Sequence, residues 1–138
     1  MEIVKVDLSN LFLINDFLKN AGDSLTGFRY FNTRSLDVIN NHLITYVISV
    51  DSNIIGYGHL DKDGETIWLG IAVAEAYKGK GYGRVMMNHL IDFAKAKSIT
   101  SIDLSVDADN IKAQHLYQSF GFVCYDKKNN TYYYKLFL

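Results

Sequence analysis

The chain has 138 residues, of which 49% are hydrophobic and 21% charged, with a formal net charge of −1. That length forms one domain, spanning 1–138, that can bury a core without metals or disulfides. The near-neutral balance excludes a global basic field that would draw it to nucleic acid or an anionic membrane. Cys124 is the only cysteine, so no internal disulfide forms, and Glu2, Lys5 and Asp7 interrupt any apolar leader. No apolar run approaches the ~20 residues of a membrane span, and a reducing, cytoplasmic setting is expected.

Proline is absent, so turns are read from Gly, Asn, Asp and Ser. Glu2 to Val6 reads as a first strand. Asp7 or Ser9 can cap a helix carrying Leu11, Phe12, Ile14, Phe17 and Leu18, which ends near Gly22. A loop to Thr33 holds Phe28, Arg29, Tyr30 and Phe31, and a short helix covers Ser35 to His42. Leu43–Val50 and Ile54–Leu60 read as strands around the turn Asp51-Ser52-Asn53. Asp61-Lys62-Asp63-Gly64 reads as a hairpin turn into a central strand, Thr66 to Val73, apolar on both faces.

A Gly-rich loop follows, then a helix to about Lys97 with Met86, Met87, Leu90, Ile91 and Ala94 at helical spacing. Ile99 to Val106 is a strand, and Asp109 or Asn110 caps a helix ending at Ser119, with Gly121 beyond it. Phe122–Tyr125 and Thr131–Phe137 close the chain as a hairpin. The order β-α-α-β-β-β-α-β-α-β-β calls for a mixed α/β or α+β sheet.

The loop Lys78-Gly79-Lys80-Gly81-Tyr82-Gly83-Arg84 lies between a buried strand and a helix N-terminus. Alternate glycines let successive backbone N–H groups turn toward one point, and the helix adds its unpaired N–H groups and positive dipole end. With three cationic side chains this makes a pyrophosphate cradle. Glycines alone would equally make a plain turn. Two better-known phosphate loops fail on spacing: Ala74 stands where a Walker A glycine is needed, and Arg84 or Met86 where a dinucleotide fingerprint needs a small residue.

The loop resembles the coenzyme A signature of the GNAT N-acetyltransferase superfamily, (Arg/Gln)-x-x-Gly-x-(Gly/Ala), with Lys78 in place of the usual Arg or Gln. Asn110 to Phe122 is similar to the family's Asn-x-x-Ala-x-x-Leu-Tyr-x-x-x-Gly-Phe. The clear match runs from about Leu43 to Phe122. The resemblance implies a twisted sheet of about seven strands flanked by four helices and splayed between the fourth and fifth strands. It also implies acetyl-CoA as co-substrate, with pantetheine laid along Ile71, Ala72 and Val73, pyrophosphate held by residues 78 to 84, and Asn110 touching the pantetheine arm or capping its helix.

Acetyl transfer to an amine needs the ammonium deprotonated, the thioester carbonyl polarised and the leaving thiolate protonated. Tyr117 matches the family tyrosine that protonates the sulfur, and a backbone N–H near Ile71 suits the carbonyl. The base is less determined. Ile67 and Ser105 occupy the two positions where family members carry a glutamate. His59 is the candidate base left nearby, expected beside Ile67 or Trp68, with Glu65 weaker, Asp61 close and water the remaining route. His42 and His89 read as packing or solvent-facing helix residues, and no spacing suggests a metal.

Phe28, Arg29, Tyr30, Phe31, Arg34 and the run Tyr132-Tyr133-Tyr134 form the expected acceptor pocket. Aromatics with two arginines suit a partly anionic, ring-bearing amine such as a nucleotide-linked amino sugar. The alternatives are a protein N-terminal or lysine acetyltransferase and a non-catalytic acyl-CoA-binding module. The expected partner is a small-molecule amine, with no nucleic acid or membrane, and a homodimer is left open.

Overall fold

The computed structural model describes residues 1–138. In chain order the elements are β1 (Glu2–Lys5), α1 (Phe12–Asn20), β2 (His42–Val50), β3 (Asn53–Asp63), β4 (Thr66–Val73), α2 (Tyr82–Ala96), β5 (Ser101–Asp107), α3 (Ile111–Ser119), β6 (Val123–Lys128) and β7 (Thr131–Phe137). Short 3-10 turns occupy Leu8–Asn10, Gly22–Thr26, Leu36–Asn41 and Glu75–Tyr77. The fourth flanking helix, expected at Ser35 to His42, is the 3-10 segment Leu36–Asn41, which buries Ile39. It stops before His42, which opens β2 instead.

One seven-stranded sheet runs β1-β2-β3-β4-β5-β7-β6. Only β4 and β5 are parallel, and their register is a single pair, Trp68 with Asp103. By contrast β5 pairs with β7 along its whole length. The sheet is therefore a four-stranded and a three-stranded half, joined at one point and splayed beyond it.

Each face carries its own core. On one, Met86, Met87, Leu90, Ile91 and Ala94 of α2 pack with Ile67, Leu69, Ile102, Leu104 and Val106 of the sheet and with Tyr117 and Phe122. Fully burying a Met or Leu contributes about 1.5–3 kcal/mol, so the five-residue stripe of α2 alone anchors that helix. On the other face, Ile14 and Phe17 of α1 cover Val47, Tyr57 and Ala72. No helix is long and apolar enough to cross a membrane.

The β3–β4 hairpin differs from the sequence expectation. Asp63 pairs with Thr66, leaving a two-residue turn, Gly64-Glu65. Gly64 supplies the positive φ, +60°, that such a tight turn demands. His59 consequently lies opposite Gly70, not Ile67 or Trp68.

Candidate active site

The splay leaves one edge of β4 without a strand partner. Ala74 N–H donates to the Ile55 carbonyl at 2.8 Å. In an antiparallel ladder the bonded positions recur every second residue. Trp68, Gly70 and Ala72 therefore turn their backbone groups to β3, while Leu69, Ile71 and Val73 turn theirs to β5. Past Trp68 no β5 partner is in register. The Val73 carbonyl is taken by the Ser24 hydroxyl at 2.5 Å. What stays open is the Ile71 N–H and carbonyl and the Val73 N–H. Ala72, expected to join them, is committed to β3 and contributes only spacing.

The Gly-rich loop delivers a helix N-terminus to that edge. Gly79 and Gly81 take φ of +76° and +90°, conformations that cost other residues strain. Gly81 is the N-cap of α2 and supplies no side-chain cap. Val85 is the first residue to reach a helical acceptor, the Gly81 carbonyl at 3.1 Å. The N–H groups of Tyr82, Gly83 and Arg84 thus have no intrahelical partner. A Cβ built on Gly83 would stand 3.2 Å from Leu116 of α3 and 3.9 Å from both Ile71 and Val73. Loop, β4 edge and α3 therefore meet at Gly83.

The cations around this loop are less free than their spacing implies. Lys78 pairs with Glu75 at 3.0 Å, and Lys80 lies 5.5 Å from the Tyr77 ring. Arg84 donates to the Ser119 hydroxyl at 3.0 Å and sits over the Phe120 ring, which ties α2 to the end of α3. Lys78 and Lys80 remain solvent-exposed.

On α3, Asn110 caps the helix by accepting from the Ala113 N–H at 3.2 Å. Tyr117, next to Leu116, is 8% exposed. Its hydroxyl has no hydrogen-bond partner, yet every sealed side-chain polar atom has one, so this hydroxyl reaches the surface. Burial pushes the phenol up to about 12, which keeps its proton in place at any working pH. Behind it Gln114, unremarked in the sequence, donates to the Asp107 and Ala108 carbonyls and accepts from Tyr134.

The opposite face of the splay is built from side chains. Cross-strand pairing aligns Thr45, His59 and Gly70 on it, with Asp61 and Trp68 one pair further on. His59 is 3% exposed, and Tyr57 lies 2.7 Å from its Nδ1. The rings of Tyr30 and His42 each stand 4.4 Å from that of His59. The Tyr30 hydroxyl reaches His42 Nε2 at 2.6 Å and, more distantly, Asp61. The remaining nitrogen of His42 meets the Thr45 hydroxyl at 2.8 Å. Burial, with Asp61 partly opposing it, holds His42 down at about 4. Burial, reinforced by His42 and Arg34, holds His59 well below the usual imidazole value. Two neutral imidazoles and a phenol therefore form the floor.

This geometry weakens His59 as a base, because a general base needs an affinity for protons near the working pH. Glu65 fares no better: it is exposed at the hairpin tip, on the order of 17 Å along the strand from Gly70. Ser105 is exposed between buried neighbours on β5. His42, read from the sequence as a helix residue, proves central to the cluster.

The two arginines are also committed. Arg29 forms a two-pronged pair with Asp107 at 2.9 and 3.1 Å and donates to the Thr26 carbonyl. Arg34 lies 4.2 Å over the Tyr30 ring and donates to the Tyr30 carbonyl. Phe28 and Phe31 pack on Tyr57 rather than lining an open wall. Of the tyrosine run, Tyr134 is buried, while Tyr133 contacts Trp68 and Tyr125. Asp103, also unforeseen, is buried between Tyr125 at 2.6 Å and Lys135 at 3.5 Å. No three His, Cys or carboxylate side chains converge as metal ligands would.

Comparison with known proteins agrees with this architecture. The chain is 45% identical over 56 residues to a mycothiol acetyltransferase of Renibacterium salmoninarum, covering 41% of this chain and 17% of that protein. It is 38% identical over 58 residues to the [ribosomal protein bS18]-alanine N-acetyltransferase of Escherichia coli, covering 42% and 39%. The chain thus spans well under half the length of these curated relatives. The fold superposes on PaiA N-acetyltransferase from Thermoplasma acidophilum, solved in complex with coenzyme A, with a TM-score of 0.78, 16% identity and coverage of 99% and 98%. The model of the acetyltransferase (GNAT) family matches residues 11–122; with its splayed sheet and Gly-rich loop, the chain belongs to that family.

Proposed function

We propose that this chain moves an acetyl group from acetyl-CoA to the primary amine of a small molecule. The observation that carries the reading is the unpartnered edge of β4 meeting the bare N-terminus of α2. The Ile71 N–H and carbonyl and the Val73 N–H match an extended amide-bearing chain, which would add to the edge as a strand does. The N–H groups of residues 82 to 84 suit a pyrophosphate, helped by Lys78 and Lys80. A backbone N–H of this edge, at Ile71, would polarise the thioester carbonyl. Pantetheine laid there places its sulfur toward α3, where the free Tyr117 hydroxyl donates the proton that the departing thiolate needs.

The other proton leaves the amine for water. Ile67 and Ser105 hold no carboxylate, and His59 resists protonation. Net transfer converts the ammonium and thioester into an amide, a free thiol and one proton released to solvent.

The occupied arginines narrow the acceptor. A nucleotide-linked sugar would need cations for its phosphates, and Arg29 is already paired with Asp107, which leaves Arg34 alone to meet them. A neutral amine fits better. The bS18 relative supports a second reading, acetylation of a protein N-terminus, against which Ser105 stands where that group is expected to carry glutamate. Thiol release from acetyl-CoA over a panel of amines and short peptides tests both. Turnover on amines is expected. Turnover confined to peptides moves the acceptor to protein, and coenzyme binding without any turnover ends the enzymatic reading.

A further inference from the structure

His59 is unused by the steps above, yet it is a buried polar side chain held on the acceptor face by a hydrogen bond and by packed rings. Tyr57 is fully buried, and its hydroxyl has one hydrogen-bond partner, His59 Nδ1 at 2.7 Å. A buried phenol must place its proton on an acceptor. Nδ1 is therefore the acceptor, which puts the ring proton on Nε2. That nitrogen has no partner in the protein, and since no sealed polar atom goes unpaired, it is not sealed off from solvent.

The ring also leans across onto β4. A Cβ at residue 70 would fall 2.6 Å from Cε1 and 2.7 Å from Nε2 of His59, so only glycine leaves this imidazole its place. Tyr30 and His42 both pack against it, each ring centre 4.4 Å away. Nε2 is thus held over the central strand, on the acceptor side of the splay, one residue before the open Ile71 N–H.

Resting on the acetyltransferase reading, we propose that His59 is a fixed, neutral hydrogen-bond donor that selects acceptors carrying a neutral oxygen, a carbonyl or a hydroxyl, beside the amine. The site therefore distinguishes a residue such as an amino amide or amino alcohol from a plain alkylamine.

Two measurements decide it. Nitrogen NMR of the folded wild-type chain should show Nε2 protonated and Nδ1 bare from about pH 5 to about pH 9. A protonated Nδ1, or an imidazolium near neutral pH, overturns the assignment without any variant being made. Kinetics with alaninamide, alaninol and isopropylamine should favour the first two by about tenfold in kcat/KM, the worth of one good hydrogen bond. His59→Leu should bring the ratio of kcat/KM for alaninamide to that for isopropylamine close to one, and His59→Gln, which keeps an N–H, should restore part of the preference. The alaninamide and alaninol arms separate a peptide-like from an alcohol-bearing acceptor. A pH–rate limb lost in His59→Gln would make the residue a base and end the proposal. Turnover without oxygen preference defeats this assignment alone. No turnover on any amine defeats it together with the acetyltransferase reading.

Discussion

On the α2 face of the splay the available groups are backbone atoms: the Ile71 and Val73 N–H groups and the first N–H groups of α2. On the α1 face they are side chains drawn from three separate segments, with Tyr30 in a loop, His42 at the start of β2 and His59 on β3. The first arrangement needs only strand register and glycines at the right torsions. The second needs packing, because each ring is positioned by another ring. Backbone recognition suits a ligand part common to a whole family, and side-chain recognition suits the part that varies among its members.

The largest test of this contrast is Tyr117→Phe. Turnover should fall by about 100-fold or more, the usual worth of a positioned acid, while the coenzyme Kd from calorimetry stays within about threefold. An unchanged rate would reduce Tyr117 to packing and leave the α2 face with backbone groups alone. Gly81→Ala comes next. At φ +90°, with open space around the added methyl, its cost is conformational, about 1–2 kcal/mol. It should weaken coenzyme binding roughly tenfold by calorimetry and leave acceptor preference untouched.

Acid should act on the other face. In the native chain burial holds His42 down at about 4 and His59 well below its usual value, whereas both take protons near 6.5 when unfolded. The unfolded state therefore binds more protons between about pH 4 and pH 6.5, so stability is complete above that window and is lost as pH falls through it. Thermal midpoints should track that window, and His42→Asn should flatten the dependence. The smallest effect belongs to the half-exposed pair of Arg29 with Asp107. Arg29→Gln should cost about 0.2–1 kcal/mol in stability. A large loss of affinity for an anionic acceptor in this variant would instead show that Arg29 binds substrate, and the arginines would then belong to the recognition surface.

The two faces were not equally legible. The coenzyme loop, the Asn110 cap and the tyrosine at 117 lie within short runs whose spacing carries the chemistry, and β7 follows its β-branched and aromatic run from Thr131 to Phe137. The partner of His59 depended on the length of one turn. Reading Asp61 to Gly64 as the turn, rather than Gly64-Glu65, slides the register and places the imidazole beside the wrong residue. Helix-like spacing after Ser35 concealed that His42 begins a strand. Arg29 and Asp107 lie 78 residues apart, and nothing local to either announces the other. Their pairing removes one of the two positive charges that made an anionic acceptor attractive.

The single bridge between Trp68 and Asp103 bears on more than ligand geometry. A sheet normally spreads mechanical load across a ladder of bonds, but here the two halves are stitched at one rung, with the α2 and α3 packing beneath acting as the hinge plate. An extended ligand seated in the gap would serve as a removable strand. It would supply the missing rungs and turn two loosely coupled halves into one continuous body for as long as it stays bound.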